Sequence, residues 1–223
     1  MYAEMTERRF FSRVFFNMTW ALALTGLVAY GVAAYPPFAR AVLNNWELII
    51  ILMVLEVILV MVLSGRIMRM SMGAAVTGFI VYALVNGVTL SVIFMAYTLS
   101  SIFTVFFIAA GLFLLMALFG YVTKVDLSPL GRFLLMALAG LILASLVNLL
   151  LRSEGLMYLY SIVGVLIFAA LTAYDTQFLK KAFNEAGQNP EVLDRIAIIG
   201  ALKLYLDLIN LFLRLLRIFG KRR

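Results

Sequence analysis

Seven apolar runs of about 17–23 residues follow one another along this 223-residue chain, and nothing between them is long enough to fold as a soluble domain. Each run can cross a hydrocarbon core roughly 30 Å thick, which takes about 20 helical residues. Backbone polar groups in lipid must be satisfied within the segment, so the runs are read as helices. The expected spans are Asn17–Tyr35, Trp46–Leu63, Gly73–Tyr97, Ile102–Thr123, Phe133–Leu151, Met157–Leu179 and Ile196–Phe219. Pro36-Pro37, Ser64-Gly65, Ser100-Ser101, Ser128-Pro129 and Asn189-Pro190 punctuate them. The fold class expected is all-α: a polytopic membrane protein of seven transmembrane helices. Residues 1–16 form an N-terminal arm, 17–219 the membrane domain and 220–223 a basic tail. The first run is too long for a signal-peptide core and ends at Tyr35-Pro36-Pro37 without a small-residue cleavage site, so a retained span is expected.

Orientation follows from lysine and arginine. The arm carries Arg8, Arg9 and Arg13, and alternate loops carry Arg66 and Arg69, Lys124 and Arg132, then Lys180, Lys181 and Arg195. The opposite side has only Arg40 and Arg152, ten against two, which places the N-terminus in the cytoplasm. Seven crossings then leave Lys221-Arg222-Arg223 outside, against the same rule. Either the last segment does not cross, or the earlier loops outvote the tail; seven crossings are favoured. The net charge of +7 resides in these short loops and tails, so it signals topology and the lipid bilayer, and no nucleic acid is expected as a partner.

The chain has no Cys and no His, which excludes thiol chemistry and the usual neutral-pH switch. Proton sensing would fall to carboxylates. Two aspartates lie inside apolar segments, Asp175 in VGVLIFAALTAYDTQFL and Asp207 in IIGALKLYLDLINLFLRLL. An ionised carboxylate near a bilayer centre costs at least about 2.5 kcal/mol, so intramembrane acids mark function. Lys203, Asp207, Asn210, Arg214 and Arg217 are spaced to share an arc of roughly 80° on the last helix. Such a stripe avoids lipid, which makes the seventh helix the expected polar centre surrounded by six others. Arg214 and Arg217 also read as residues that snorkel to a surface, and Lys203 as an ion-pair partner of Asp207 one turn away. Asp175, about four residues before the expected end of its span, also reads as an interfacial carboxylate beside Lys180 and Lys181.

Glu56 is a third intramembrane acid, and Arg66 reads equally as a positive-inside anchor or as a gate partner for the aspartates. Asn86 and Asn148 are assigned to interhelical packing. Two glycine pairs nine residues apart, Gly78/Gly87 and Gly131/Gly140, hint at a repeat, but close helix packing explains them more simply. If Asp175 and Asp207 meet, they cannot both ionise cheaply and titrate as one coupled pair.

The stretches YALVNGVTLSVIF, LFGYVTKVDLSPLGRFLLMALAGLILASLVN, LTAYDTQ and LYLDLINLFLRLLRIFG occur in an order that resembles the transmembrane Bax inhibitor motif (TMBIM) family, in its bacterial branch. The likeness runs from about Met72 to Gly220. It implies six helices around a central seventh and a pH-sensitive, calcium-permeable leak channel, with paired aspartates at positions matching Asp175 and Asp207. Calcium is the ion those two carboxylates would take, and no resident cofactor is expected. An arginine ending the second helix is implicated in closure; Arg66 is the nearest match, with Arg69 also offered. Lys203, Asn210 and Glu56 are kept as pairing residues. The expected setting is the bacterial inner membrane. An alternative is a non-conducting regulator that binds another membrane protein, such as a quality-control protease. An intramembrane aspartyl protease also pairs Tyr-Asp with a second aspartate, but it needs Gly-x-Gly-Asp and Pro-Ala-Leu. Here the second site reads Leu204-Tyr205-Leu206-Asp207 and Pro-Ala-Leu does not occur, so no enzyme is expected.

Overall fold

A computed structural model describes residues 6–187 and 189–223. It contains α1 (Glu7–Ala34), α2 (Pro36–Asn44), α3 (Trp46–Arg66) with a 3-10 turn at Ile67–Arg69, α4 (Met72–Ala96), α5 (Leu99–Val122), α6 (Ser128–Leu151), α7 (Glu154–Glu185) and α8 (Pro190–Phe219). All but α2 are long and apolar enough to span a membrane, seven in number among the described residues, as expected. Large apolar side chains remain exposed along the spans, for example Phe107, Leu115, Leu143 and Leu149, which suits a lipid-facing surface.

The helices are longer than their apolar runs, for reasons that lie in the caps. The Thr6 hydroxyl accepts the Arg9 amide at 3.4 Å, so α1 starts at Glu7, ten residues before the first span expected from hydropathy. Residues 7–16 of the expected arm are thus helical, while its first five lie outside the described residues. At the other break, Asn189 Oδ1 accepts the amides of Glu191 and Val192 at 3.1 and 3.3 Å. Pro190 follows in the first helical position, where its missing N–H costs nothing, so this dipeptide starts α8 rather than merely ending a loop. Pro36-Pro37 does the same for α2, a short helix that hydropathy does not reveal.

The chain divides into two compact units. The first comprises the described part of Met1–Thr98, with Ala182–Tyr205 and Arg222–Arg223. There α1 packs chiefly against α4, and α3 also lies on α4. Gly78 and Gly87 of α4 allow this approach: a Cβ would come within 2.8 Å of the Leu63 side chain at the first and within 2.9 Å of the Thr25 carbonyl oxygen at the second. Close packing, rather than a repeat, therefore accounts for this pair. At one end of the unit Arg13 pairs with Asp194, Phe10 stacks on Phe183 with centroids 5.2 Å apart, and Arg195 donates to the Met68 carbonyl. At the other end the Arg223 amide donates to the Ala96 carbonyl at 3.0 Å, and Arg222 bridges Tyr97.

The second unit holds Leu99–Lys181 and Leu206–Lys221. Its helices also meet through glycines. A Cβ on Gly120 would lie 2.1 Å from the Ala173 carbonyl oxygen, and one on Gly131 would lie 2.4 Å from the Tyr174 ring. Gly140, the partner of Gly131 in the sequence spacing, faces open space. Asn148 serves the end of α6, accepting the Ser153 amide at 3.0 Å, rather than packing between helices.

Candidate functional site

Asp175 lies at the start of the last third of α7, ten residues before the helix ends at Glu185, and its exposure is 6%. The helix continues for more than a turn past the expected span end at Leu179. The residues around Asp175 are fastened to the α5–α6 connection. Gln177 accepts the Leu127 amide through Oε1 and donates Nε2 to the Val125 carbonyl, both at 2.8 Å. Lys180 donates to the Tyr121 carbonyl at 3.0 Å, with its ammonium 4.4 Å from the Tyr121 ring centre. Lys181 pairs with Asp126 and donates to Ser128 Oγ at 2.8 Å. The bond from Lys181, with those from Ser128, holds the Asp126 carboxyl down to about 2. Together with the contacts of Gly120 on Ala173 and Gly131 on Tyr174, these bonds fix α7 on both sides of Asp175. The motifs LFGYVTKVDLSPLG and LTAYDTQ are thus two halves of one interlock.

Asp207 lies on α8 in the same compact unit as Asp175, with 4% exposure. Along the same helix Leu204, Leu208, Leu211, Phe212 and Leu215 are buried, whereas Lys203, Leu206, Asn210, Leu213 and Arg214 are half-buried and Arg217 is exposed. In the most apolar stretch of α8, 67% of residues are buried, against 6% to 50% in the other six spans. Lys203 and Asn210, one turn on either side of Asp207, are half-buried. The Asn210 amide donates back to the Leu206 carbonyl at 2.8 Å. Arg66 closes α3 and is exposed. Among the described residues no three acidic side chains gather into a metal cage.

Glu56 is drawn into a different cluster, in the first unit. It is half-buried on α3, and its Oε2 accepts Asn86 Nδ2 at 3.1 Å. Asn86 Oδ1 accepts the Tyr205 hydroxyl at 2.9 Å. That hydroxyl lies 2.7 Å from Thr25 Oγ1, which itself donates to the Ala83 carbonyl at 2.9 Å. Phe79 and Tyr82 close edge-on around the Tyr205 ring at 5.9 and 5.7 Å. Four helices, α1, α3, α4 and α8, are therefore joined through one buried polar chain. Sequence reasoning singled out Glu56 and Asn86 but not Thr25 or Tyr205. Tyr205 lies off the polar stripe of α8, and a lone hydroxyl in an apolar run has no periodic signature.

Seven helical spans, with Glu56, Asp175 and Asp207 buried or half-buried inside their apolar runs, define a polytopic all-α membrane protein with intramembrane carboxylates. Residues 7–223 match the family described as "Inhibitor of apoptosis-promoting Bax1", and the chain belongs to that family. The inner membrane protein YbhL of Escherichia coli K12 is 53% identical over 121 residues, 54% of this chain and 52% of that protein. An uncharacterized protein of Borreliella burgdorferi is 52% identical over 118 residues, 53% of this chain and 51% of its own length. One from Rickettsia prowazekii is 48% identical over 118 residues, covering 53% and 50%. The chain spans about half the length of the curated relatives it matches.

Proposed function

We propose that this protein is a pH-sensitive, calcium-permeable leak channel of a bacterial inner membrane, with the N-terminus cytoplasmic and Asp175 and Asp207 as a proton-sharing pair. The observation that carries this reading is the burial of two carboxylates, 6% and 4% exposed, in apolar helices of one compact unit. Buried acids are retained at a cost and gain little net stability from pairing, so a functional reason for them is required. The high burial of α8 supports its placement at the centre of the other six spans.

The mechanism follows from charge. With one proton between them, the two aspartates join by a hydrogen bond and hold the last two helices together. With both ionised, repulsion parts them and leaves an anionic site. Calcium takes about six to eight oxygen ligands, so two carboxylates completed by carbonyls and water would hold it loosely, as a leak requires. Because the interlock with the α5–α6 connection immobilises α7 near Asp175, movement falls to the helix bearing Asp207. Lys203 and Asn210, a turn to either side, tune that carboxylate, and Arg66 stands at a membrane end as the candidate gate. Glu56 stabilises the first unit through its polar chain. The family and the leucine-rich surroundings of Asp207 both favour a non-enzyme over an aspartyl protease.

Calcium entry into liposomes containing the purified chain tests this reading. Flux is expected to rise as increasing pH removes the shared proton, because ionisation of both aspartates opens the anionic site. Inert liposomes, together with recovery of a second membrane protein on the same chain from native membranes, would replace the channel by a non-conducting regulator.

A further inference from the structure

Near the C-terminal end of α8 two arginines converge on one tyrosine of α7. Tyr160 is 7% exposed, and its ring lies 5.4 Å from the Arg214 guanidinium carbon and 5.6 Å from that of Arg217. Arg217 Nη1 donates to the Tyr160 hydroxyl at 2.8 Å. The stem of Arg214 runs over the bare backbone of Gly164, where a Cβ would sit 3.0 Å from its Cγ and Cδ. All four residues belong to the second compact unit. Neither guanidinium has a carboxylate within ion-pair distance among the described residues.

This arrangement is poorly explained by packing or by anchoring alone. A guanidinium stays charged, so Arg214, half-buried, cannot escape its cost by losing a proton. A snorkelling arginine extends to water alone, whereas Arg217, although exposed, is bonded to Tyr160, and both guanidiniums meet that ring despite their mutual repulsion. The partial negative charge at the end of α8 offsets only part of that repulsion. Among the described residues the pair makes one hydrogen bond, from Arg217 to the Tyr160 hydroxyl, which leaves the other N–H donors of two planar forks for a ligand. Planar forks match the oxygens of phosphate in bidentate fashion, better than ammonium groups do. Arg217 lies two residues before the helix ends at Phe219, at the depth where a span meets headgroups.

We infer that Tyr160, Arg214 and Arg217 form a binding site for a phosphate group, carried by an anionic lipid headgroup or by free phosphate. The site does not depend on ion conduction. The anion supplies the missing counter-charge and, by bridging α7 and α8 near their outer ends, couples the lipid or phosphate content of the membrane surface to the helix pair that bears the aspartates.

The test is the thermal midpoint and native mass spectrum of the purified full chain with three probes: inorganic phosphate, dioctanoyl phosphatidylglycerol and phosphate-free dioctanoylglycerol. The phospholipid is expected to raise the midpoint and appear bound, while dioctanoylglycerol does neither. Stabilisation by inorganic phosphate as well assigns the recognition to the phosphate alone; stabilisation by phosphatidylglycerol only assigns it to the headgroup in its lipid. Arg214→Gln and Arg217→Gln should each weaken binding by about tenfold or more, the loss of a charge-assisted hydrogen bond. Arg217→Lys keeps the charge and the fold but loses the fork, and should bind at an intermediate level. The inference is overturned if neither phosphate probe binds, if dioctanoylglycerol binds equally, or if all three variants bind as the unaltered chain does.

Discussion

Gly120→Ala should lower the stability of the protein in detergent by about 1–3 kcal/mol, and Gly120→Val by more. The new Cβ would stand 2.1 Å from the Ala173 carbonyl oxygen and 2.8 Å from both the carbonyl carbon and the Cα of that residue. These are backbone atoms, so no rotamer change relieves the clash; α5 and α7 must separate. Ala173 is two residues from Asp175, so the same change should disturb calcium flux even in the fraction that remains folded. Gly111, one face of the same helix with open space around it, provides the control. There alanine should be neutral or stabilising by about 1 kcal/mol through helix propensity. Equal thermal shifts for the two substitutions would refute the close-approach explanation. Gly131→Ala should cost less than Gly120→Ala, because the atoms it meets belong to the Tyr174 side chain, which can turn.

Tyr205→Ala is the second large effect. The side chain is fully buried between Phe79 and Tyr82, so its removal leaves a cavity worth about 3–5 kcal/mol. Tyr205→Phe separates the ring from the hydroxyl. It fills the cavity but deprives Asn86 Oδ1 and Thr25 Oγ1 of a partner, at a cost of about 1–2 kcal/mol. Unfolding midpoints of the two variants measure the difference. If phenylalanine costs as much as alanine, the polar chain from Thr25 to Glu56 governs stability more than ring packing does. If phenylalanine costs nothing, the chain is energetically idle.

Span number could be read from the sequence because hydrocarbon thickness sets the length of an apolar run, whatever its detailed pattern. Helix ends could not be read the same way. Hydropathy stops at the lipid boundary, whereas α1, α7 and α8 continue past it, governed by Thr6 and Asn189 as caps and by contacts such as Phe10 on Phe183. The stripe on α8 is expected to turn inward, yet only Asp207 of it is buried; Lys203, Asn210 and Arg214 are half-buried and Arg217 is exposed, while the apolar sides of the helix carry most of its burial. Glu56 stood out as a charge, but the hydroxyls that complete its cluster did not, because serine, threonine and tyrosine are tolerated singly in any span. The double interlock of Gln177 and Lys181 with the α5–α6 connection was equally hidden. It depends on residues 50 or more positions apart meeting in space.

The claim that Asp175 and Asp207 act as one titrating unit is tested most directly by a double-mutant cycle on calcium flux against pH, in liposomes bearing the unaltered chain, Asp175→Asn, Asp207→Asn, or both changes. Residues that work as a unit are not additive, so each single change should flatten the pH response and the double change should add nothing further. Unchanged pH dependence in both single variants, or independent shifts that sum in the double variant, would contradict the account.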